Sequence, residues 1–170
     1  STHEGGLRVP FFVYWKDKIK AGENDHICAL YDVLATLADL ASITPPKTDG
    51  ISFAPILLGK PDEQETHQYL YWETGTMSRH AQSIRLNQWW AYRDHPSKPI
   101  KLYDVSEDLA CKNDLAKSNT ELIDRIRQIF TEAHIDSEWY VNPGESKKQT
   151  SAKRDKAISM KSMQRSTGAN

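Results

Sequence analysis

Residues 68–105, QYLYWETGTMSRHAQSIRLNQWWAYRDHPSKPIKLYDV, decide the fold. Within them Gln68–Glu73, Gln82–Leu86, Trp89–Arg93 and Ile100–Val105 are short alternating or aromatic runs separated by turn chemistry, which predicts an antiparallel meander of four strands. Asn87-Gln88 is the tight connection, because Asn tolerates the positive φ that such a turn demands. Downstream, Ser118-Asn119-Thr120-Glu121 fits a capping box, and Leu122, Ile123, Ile126, Ile129, Phe130 and Ala133 share one helical face. That helix is expected across one face of the meander.

Upstream the period changes. Val9–Trp15 is continuously apolar and follows Gly5-Gly6, which predicts a strand buried on both faces, with Pro10 at its start. Ile27, Leu30, Tyr31, Leu34, Leu37, Ala38 and Ala41 form the stripe of a helix over 26–41, with Asp25 as N-cap. One helix cannot cover both faces of a parallel strand, so most of the sheet neighbouring 9–15 is expected to lie outside this chain. Residues 47–62 read as irregular, with Asp49-Gly50 as a turn and Phe53–Leu58 as an apolar anchor or single helical turn.

The fold class expected is α+β, in three parts: 1–62, a piece of a larger α/β domain; 63–136, the sheet and its helix; and 137–170, a basic tail. The tail contains no aromatic residue beyond Pro143 and is expected to be flexible, with a marginal helix over 153–164 as the second reading. Trp139, Tyr140 and Val141 could still pack on the sheet.

Composition narrows the function. The 170 residues carry 22 Lys+Arg and 23 Asp+Glu, a net charge of −1 that gives no reason to expect nucleic acid. Charge is unevenly spread: beyond Asn142 seven cations face only Glu145 and Asp155, leaving +5 there and −6 over residues 1–142. Mean hydropathy is −0.66, and no apolar run reaches the ~18–20 residues that span a bilayer. Cys28 and Cys111 lie in unrelated contexts, so neither a disulfide framework nor a zinc site is signalled. Any export signal is expected upstream of Ser1.

No complete catalytic constellation is evident. Cys28 and His26 read as a packed thiol and a surface or capping imidazole more readily than as catalytic groups. Glu4 and Arg8, flanking a turn, read as a structural ion pair or backbone-capping residues rather than as an acid–base pair. The segment around Gly75 differs in kind, since it gathers Glu73, Arg79, His80, Gln82 and Arg85 between two strands as a mixed polar cluster suited to an anionic or hydroxyl-rich ligand. Trp72, Trp89, Trp90 and Tyr92 could stack on a sugar, although aromatic side chains in a short sheet commonly form its core.

Ser1-Thr2-His3-Glu4-Gly5-Gly6-Leu7-Arg8-Val9-Pro10-Phe11 resembles the STYEGGxRVPF stretch of the type I, formylglycine-dependent sulfatases, the arylsulfatase family. Further matches follow in order: Leu30-Tyr31-Asp32 with Thr36-Leu37-Ala38-Asp39-Leu40, Asp49-Gly50-Ile51-Ser52-Phe53, Leu57-Leu58-Gly59, Tyr69-Leu70-Tyr71-Trp72-Glu73, and Leu102-Tyr103-Asp104 with Lys112-Asn113-Asp114-Leu115-Ala116. The pattern is that of the family's C-terminal portion in an alkaline-phosphatase-like fold. Two departures stand out: Asp108-Leu109-Ala110-Cys111 replaces the usual DPxE, and His3 replaces a common aromatic.

The resemblance implies a parent enzyme that hydrolyses aryl or carbohydrate sulfate esters with Ca2+ and a formylglycine made from an upstream cysteine in C-x-P/A-x-R. Neither Cys28 nor Cys111 sits in that motif, so no catalytic residue or metal ligand is expected here, and the chain alone is expected to be inactive. Its implied contribution is the rim of the substrate pocket, with Glu73, Arg79, His80, Gln82, Arg85 and Tyr92 as candidates. Implied partners are a sulfated small molecule or sugar and the missing N-terminal sulfatase domain, with no nucleic acid and no membrane span. The implied location is periplasmic or secreted. The alternatives are a phosphodiesterase or phosphonate hydrolase of the same superfamily, or a carbohydrate-binding module without catalysis.

Overall fold

In the computed structural model, residues 2–76, 79–137 and 145–167 are described, without the side chains of 75–76, 79, 147 and 160–167. In chain order the elements are α1 (Glu4–Leu7), α2 (Asp32–Leu40), α3 (Ala54–Leu57), β1 (Leu70–Thr76), β2 (Arg79–Leu86), β3 (Trp89–Arg93), β4 (Lys101–Asp104), α4 (Thr120–Glu132) and α5 (Lys147–Thr167). They divide into two units, Val9–Leu70 and the remainder.

The larger unit holds the meander, in the order β1-β2-β3-β4. Gln82 pairs with Arg93 and Ile84 with Ala91, so alternation turns these four to one face and Ser83, Arg85, Trp90 and Tyr92 to the other. Asn87 carries the turn at φ +51°. α4 lies on the first face: the Phe130 ring meets Tyr71 at 6.2 Å between centroids and has the Arg93 guanidinium 4.6 Å above it. Ile84, Ala91, Leu102, Ile126 and Phe130 are fully buried there. Trp90, buried on the opposite face, packs 5.9 Å from Trp72.

The capping box expected at the start of α4 does not form. Asn119 is the N-cap residue without a side-chain cap bond, because both Ser118 Oγ and Asn119 Nδ2 donate instead to the Leu115 carbonyl. A box does form elsewhere. The Gln149 amide donates to Ser146 Oγ at 3.4 Å and the Ser146 amide to Gln149 Oε1 at 2.8 Å, starting α5. Over 147–167 the chain is helical, where a flexible tail was the first expectation and a helix over 153–164 the second. Its Ala, Lys, Arg, Gln and Met content favours a helix even with few apolar contacts. Thr150 is buried, and Lys153 pairs with Glu145 at 3.0 Å. Trp139, Tyr140 and Val141 lie outside the described residues.

The unit Val9–Leu70 departs more from expectation. No strand forms over 9–15: the run joins no sheet among the described residues, its Phe11 ring meeting Phe53 edge-on at 5.8 Å while Phe12 is 90% and Tyr14 86% exposed. A strand exists only by its ladder, and the described residues supply no neighbour for one. The helix expected from residue 26 begins only at Asp32, and Asp25 does not cap it. Asp32 is the reason. Its buried carboxylate accepts from the amides of Ala29 at 2.7 Å and Ile51 at 2.9 Å, and meets His67 Nε2 at 2.8 Å, which fixes 29–31 as a turn.

One helical turn on, Thr36 Oγ1 donates to the Asp32 carbonyl at 2.8 Å and accepts the Phe53 amide at 3.0 Å. These bonds orient Asp32, Ala35, Thr36 and Ala38 inward, and Leu30, Leu34 and Leu37 are left 75%, 49% and 59% exposed. The leucine stripe thus faces outward. Phe12 and Tyr14 add further exposed apolar side chains, the kind of surface on which chains associate. The light-scattering mass of the chain should rise with concentration, and the double variant Phe12→Ser, Leu37→Ser should lower it. A monomer whose mass is independent of concentration would show that this surface does not self-associate.

Candidate functional site

The six candidate residues do not form one site. Glu73, His80 and Gln82 converge on the face covered by α4, whereas Arg85 and Tyr92 face the opposite way. Arg79 opens β2, and its side chain lies outside those described.

On the α4 face Glu73 Oε2 is a hub. It accepts from Tyr71 OH at 2.5 Å, meets His134 Nδ1 at 2.8 Å, and has His80 Nε2 and Gln82 Nε2 each 3.4 Å away. Gln82 Nε2 also donates to Tyr71 OH at 2.7 Å, and its Oε1 accepts from Arg93 Nε at 2.7 Å. His134 Nε2 reaches Asp136 Oδ1 at 3.1 Å. Tyr71, Arg93 and His134 were missed in the sequence. Tyr71 and Arg93 read as strand residues, and His134 lies 61 positions from Glu73, where only the packing of α4 on the sheet brings it back.

Electrostatics follow from this crowding. Partial burial pushes the Glu73 carboxyl up, but bonds from Tyr71 and His134 and the charges of His134 and His80 outweigh it, so the net displacement is downward. Burial pushes His134 down, yet its bonds to Glu73 and Asp136 win and raise it. Burial, then the bond to Glu73, moves the Tyr71 phenol strongly upward, which keeps it a donor.

The signs set a pH window. A depressed carboxyl contributes stability above its ordinary 4.5, lost as pH falls through the folded value. A raised imidazole contributes stability below its ordinary 6.5, lost as pH rises through its own folded value. In a chelating buffer, the urea midpoint should therefore be highest between about pH 4.5 and 6.5 and decline on the alkaline side. His134→Gln should flatten that decline; an unchanged slope would exclude His134 as its origin.

On the opposite face, the first residues of the chain approach the sheet. Glu4 Oε1 lies 3.3 Å from Arg85 Nη1 and 3.6 Å from Arg8 Nη1, so the expected ion pair of Glu4 and Arg8 is present and extends to Arg85. The His3 ring lies 4.2 Å from the Tyr92 ring, in the place where the resemblance put an aromatic, and Tyr92 OH donates to Asp94 at 2.6 Å. Arg8 keeps 57% of its side chain exposed, a cation presented outward. Burial, opposed by Glu4, lowers the Arg85 guanidinium without discharging it. Cys28 is not inside a helix, and burial followed by Asp32 raises its thiol, so no activated thiolate forms there.

Residues 1–135 match the family described as N-sulphoglucosamine sulphohydrolase, C-terminal. The chain belongs to this family. It is 26% identical over 156 residues to arylsulfatase A of Bos taurus, covering 78% of this chain and 29% of that protein. It is 24% identical over 152 residues to N-acetylgalactosamine-6-O-sulfatase of Bacteroides thetaiotaomicron, covering 76% and 28%. A solved structure described under metabolism of multiple glycosaminoglycans by Bacteroides thetaiotaomicron superposes with TM-score 0.64 at 23% identity, over 78% of this chain and 30% of that one. The chain thus spans less than a third of the length of these curated relatives. The fold is that of a C-terminal sulfatase portion from an alkaline-phosphatase-like architecture, with the four-stranded antiparallel sheet and helices of an α+β unit.

The sulfatase C-terminal portion does not fit the implied cofactors. Calcium takes six to eight oxygen ligands. The one three-residue ligand cluster among the described residues, Glu73 with His80 and His134, offers two nitrogens and a carboxylate oxygen. Cys28 is followed by Ala29-Leu30-Tyr31 and Cys111 by Lys112-Asn113-Asp114, so neither could become the formylglycine of C-x-P/A-x-R. Among the described residues no helix is long and apolar enough to cross a membrane.

Proposed function

We propose that the chain supplies part of the substrate-pocket wall of a sulfate ester hydrolase whose nucleophile and Ca2+ ligands lie in a preceding domain. The observation that carries this is the family match over residues 1–135 in a chain whose cysteines both lack the modification motif. The outward leucines of α2 and the unpaired run 9–15 support it, because both are surfaces that a larger α/β domain would cover.

Of the six candidates, the wall is assigned first to Arg85 and Tyr92, which share their face with His3 and the exposed Arg8. A guanidinium held by a carboxylate from another segment is pre-placed for a sulfated ligand. Glu73 and His80 stand on the other face against His134, just beyond α4, with Gln82 bonded to Tyr71 and Arg93, and Arg79 is kept as a rim candidate on sequence grounds. The substrate is an aryl or carbohydrate sulfate, in keeping with the names of the two relatives. A periplasmic or secreted location belongs to the same reading.

In the protein extended at its N-terminus to the length of the relatives, Arg85→Ala should raise KM for the sulfated substrate roughly tenfold with kcat little changed, since a wall residue binds ground and transition states alike. Arg85→Lys separates charge from the fork geometry, and a fall in kcat at constant KM would place Arg85 at the reacting sulfur instead. A stand-alone carbohydrate-binding module makes the opposite forecast for the chain alone. Calorimetry would then give saturable binding of sulfated but not desulfated disaccharide, which the pocket-wall reading does not expect.

A further inference from the structure

Glu73, His80 and His134 present one carboxylate oxygen and two imidazole nitrogens within 4.8 Å of one another. The geometry points to a binding site for a zinc-type first-row divalent cation on these three side chains. The site is independent of the pocket-wall reading, and its test does not involve sulfate hydrolysis.

Four observations converge. The donor set is borderline-soft, suited to Zn2+, Co2+ or Ni2+ and ill-suited to Ca2+ or Mg2+. The two distances from Glu73 Oε2 compare with those of a tetrahedral ion, whose ligands at about 2.0–2.1 Å stand about 3.4 Å apart. His80 Nε2 and Glu73 Oε2 are already separated by 3.4 Å, and the 2.8 Å between His134 Nδ1 and Glu73 must open slightly, at side chains that are 18% and 25% exposed.

The outer contacts are those a metal site uses. With the ion on His134 Nδ1, the Nε2–H donates to Asp136, 3.1 Å away, which fixes tautomer and ring plane. Tyr71 and Gln82 donate to the same carboxylate oxygen, Glu73 Oε2, and so fix where the carboxylate stands. Finally, His80 is buried while the Glu73 and His134 side chains are partly exposed, so the cluster reaches solvent through these two. Without the ion, the Glu73–His134 contact is made by a proton. Metal and proton therefore compete, and binding should tighten as pH rises.

The test is calorimetric titration of Zn2+ into the untagged, chelator-stripped chain. One equivalent should bind saturably, with Ca2+ giving no comparable heat. His80→Gln and His134→Gln should each weaken binding by about 100-fold or more, and Asp136→Asn, which acts through His134, by about 10- to 100-fold. Co2+ should give the intense visible bands of a four-coordinate site in the parent and lose them in His134→Gln. Glu73→Gln keeps an acceptor for Tyr71 and His134 and stands in should a histidine variant fail to fold. Absence of saturable Zn2+ binding, or equal binding by the His80→Gln, His134→Gln double variant, would overturn the proposal.

Discussion

Asp32→Ala should cost about 3–5 kcal/mol and unravel the unit Val9–Leu70, because it strands three donors at once. The carboxylate is 1% exposed and accepts the amides of Ala29 and Ile51 while meeting His67 Nε2. This unit has a thin apolar core, chiefly Ala35, Ala38, Phe53 and Ala54, so polar staples carry an unusual share of its cohesion. Ser52 Oγ donating to Asp39 and Gln64 Nε2 donating to the Ser52 carbonyl are others. Hydrogen exchange at the Ile51 and Phe53 amides reads the loss locally, and both should exchange orders of magnitude faster in the variant. Asp32→Asn should lose less, since its oxygen can still accept one amide. Unchanged protection of Ile51 in Asp32→Ala would mean that the carboxylate does not hold the loop.

Phe130→Ala should remove about 3–5 kcal/mol from the other unit. Its ring is fully buried, edges Tyr71 at 6.2 Å and lies under the Arg93 guanidinium at 4.6 Å, so truncation leaves a cavity between α4 and the sheet and deprives a half-buried cation of its support. Arg93 holds Gln82, and Gln82 holds Tyr71 and Glu73, so the loss should also reach the Glu73 cluster. Chemical denaturation followed by Trp90 fluorescence would measure the first effect, and the flattened pH dependence of the midpoint would report the second. Phe130→Leu, retaining most of the volume, should cost much less. A denaturation midpoint shared by Phe130→Ala and the parent would show that α4 is not anchored through this ring.

What the sequence conveyed follows from which forces act locally. The meander and α4 were legible because the alternation of Trp89–Arg93 and the spacing of Ile123, Ile126, Ile129 and Phe130 are written in single segments, and Asn87 marks its own turn. Val9–Trp15 misled because an apolar run states a need for partners, not their presence. The helix over 26–41 misled because its leucine stripe reads as core, whereas Asp32 and Thr36 win the inward face through bonds to residues 17 to 35 positions away. α5 was read only as a marginal helix over 153–164, the second choice, because it is poor in apolar residues, although Ser146-x-x-Gln149 had the pattern of a capping box.

The candidate site divides in the same way. Glu73, His80 and Gln82 could be grouped from the strand–loop–strand spacing, but strand alternation then sends Arg85 to the other face, which the loop picture ignored. Only the tertiary return of α4 adds His134. The ion pair of Glu4 and Arg8 was readable from one helical turn, and its extension to Arg85, 81 positions away, was not.

The central claim is that this polypeptide shapes a sulfate pocket without containing its reactive centre. Hydrolysis of a chromogenic aryl sulfate, in the presence of calcium, by residues 1–170 alone and by the N-terminally extended protein side by side tests it most directly. The account predicts a blank rate for the former and turnover for the latter; turnover by residues 1–170 alone would contradict it.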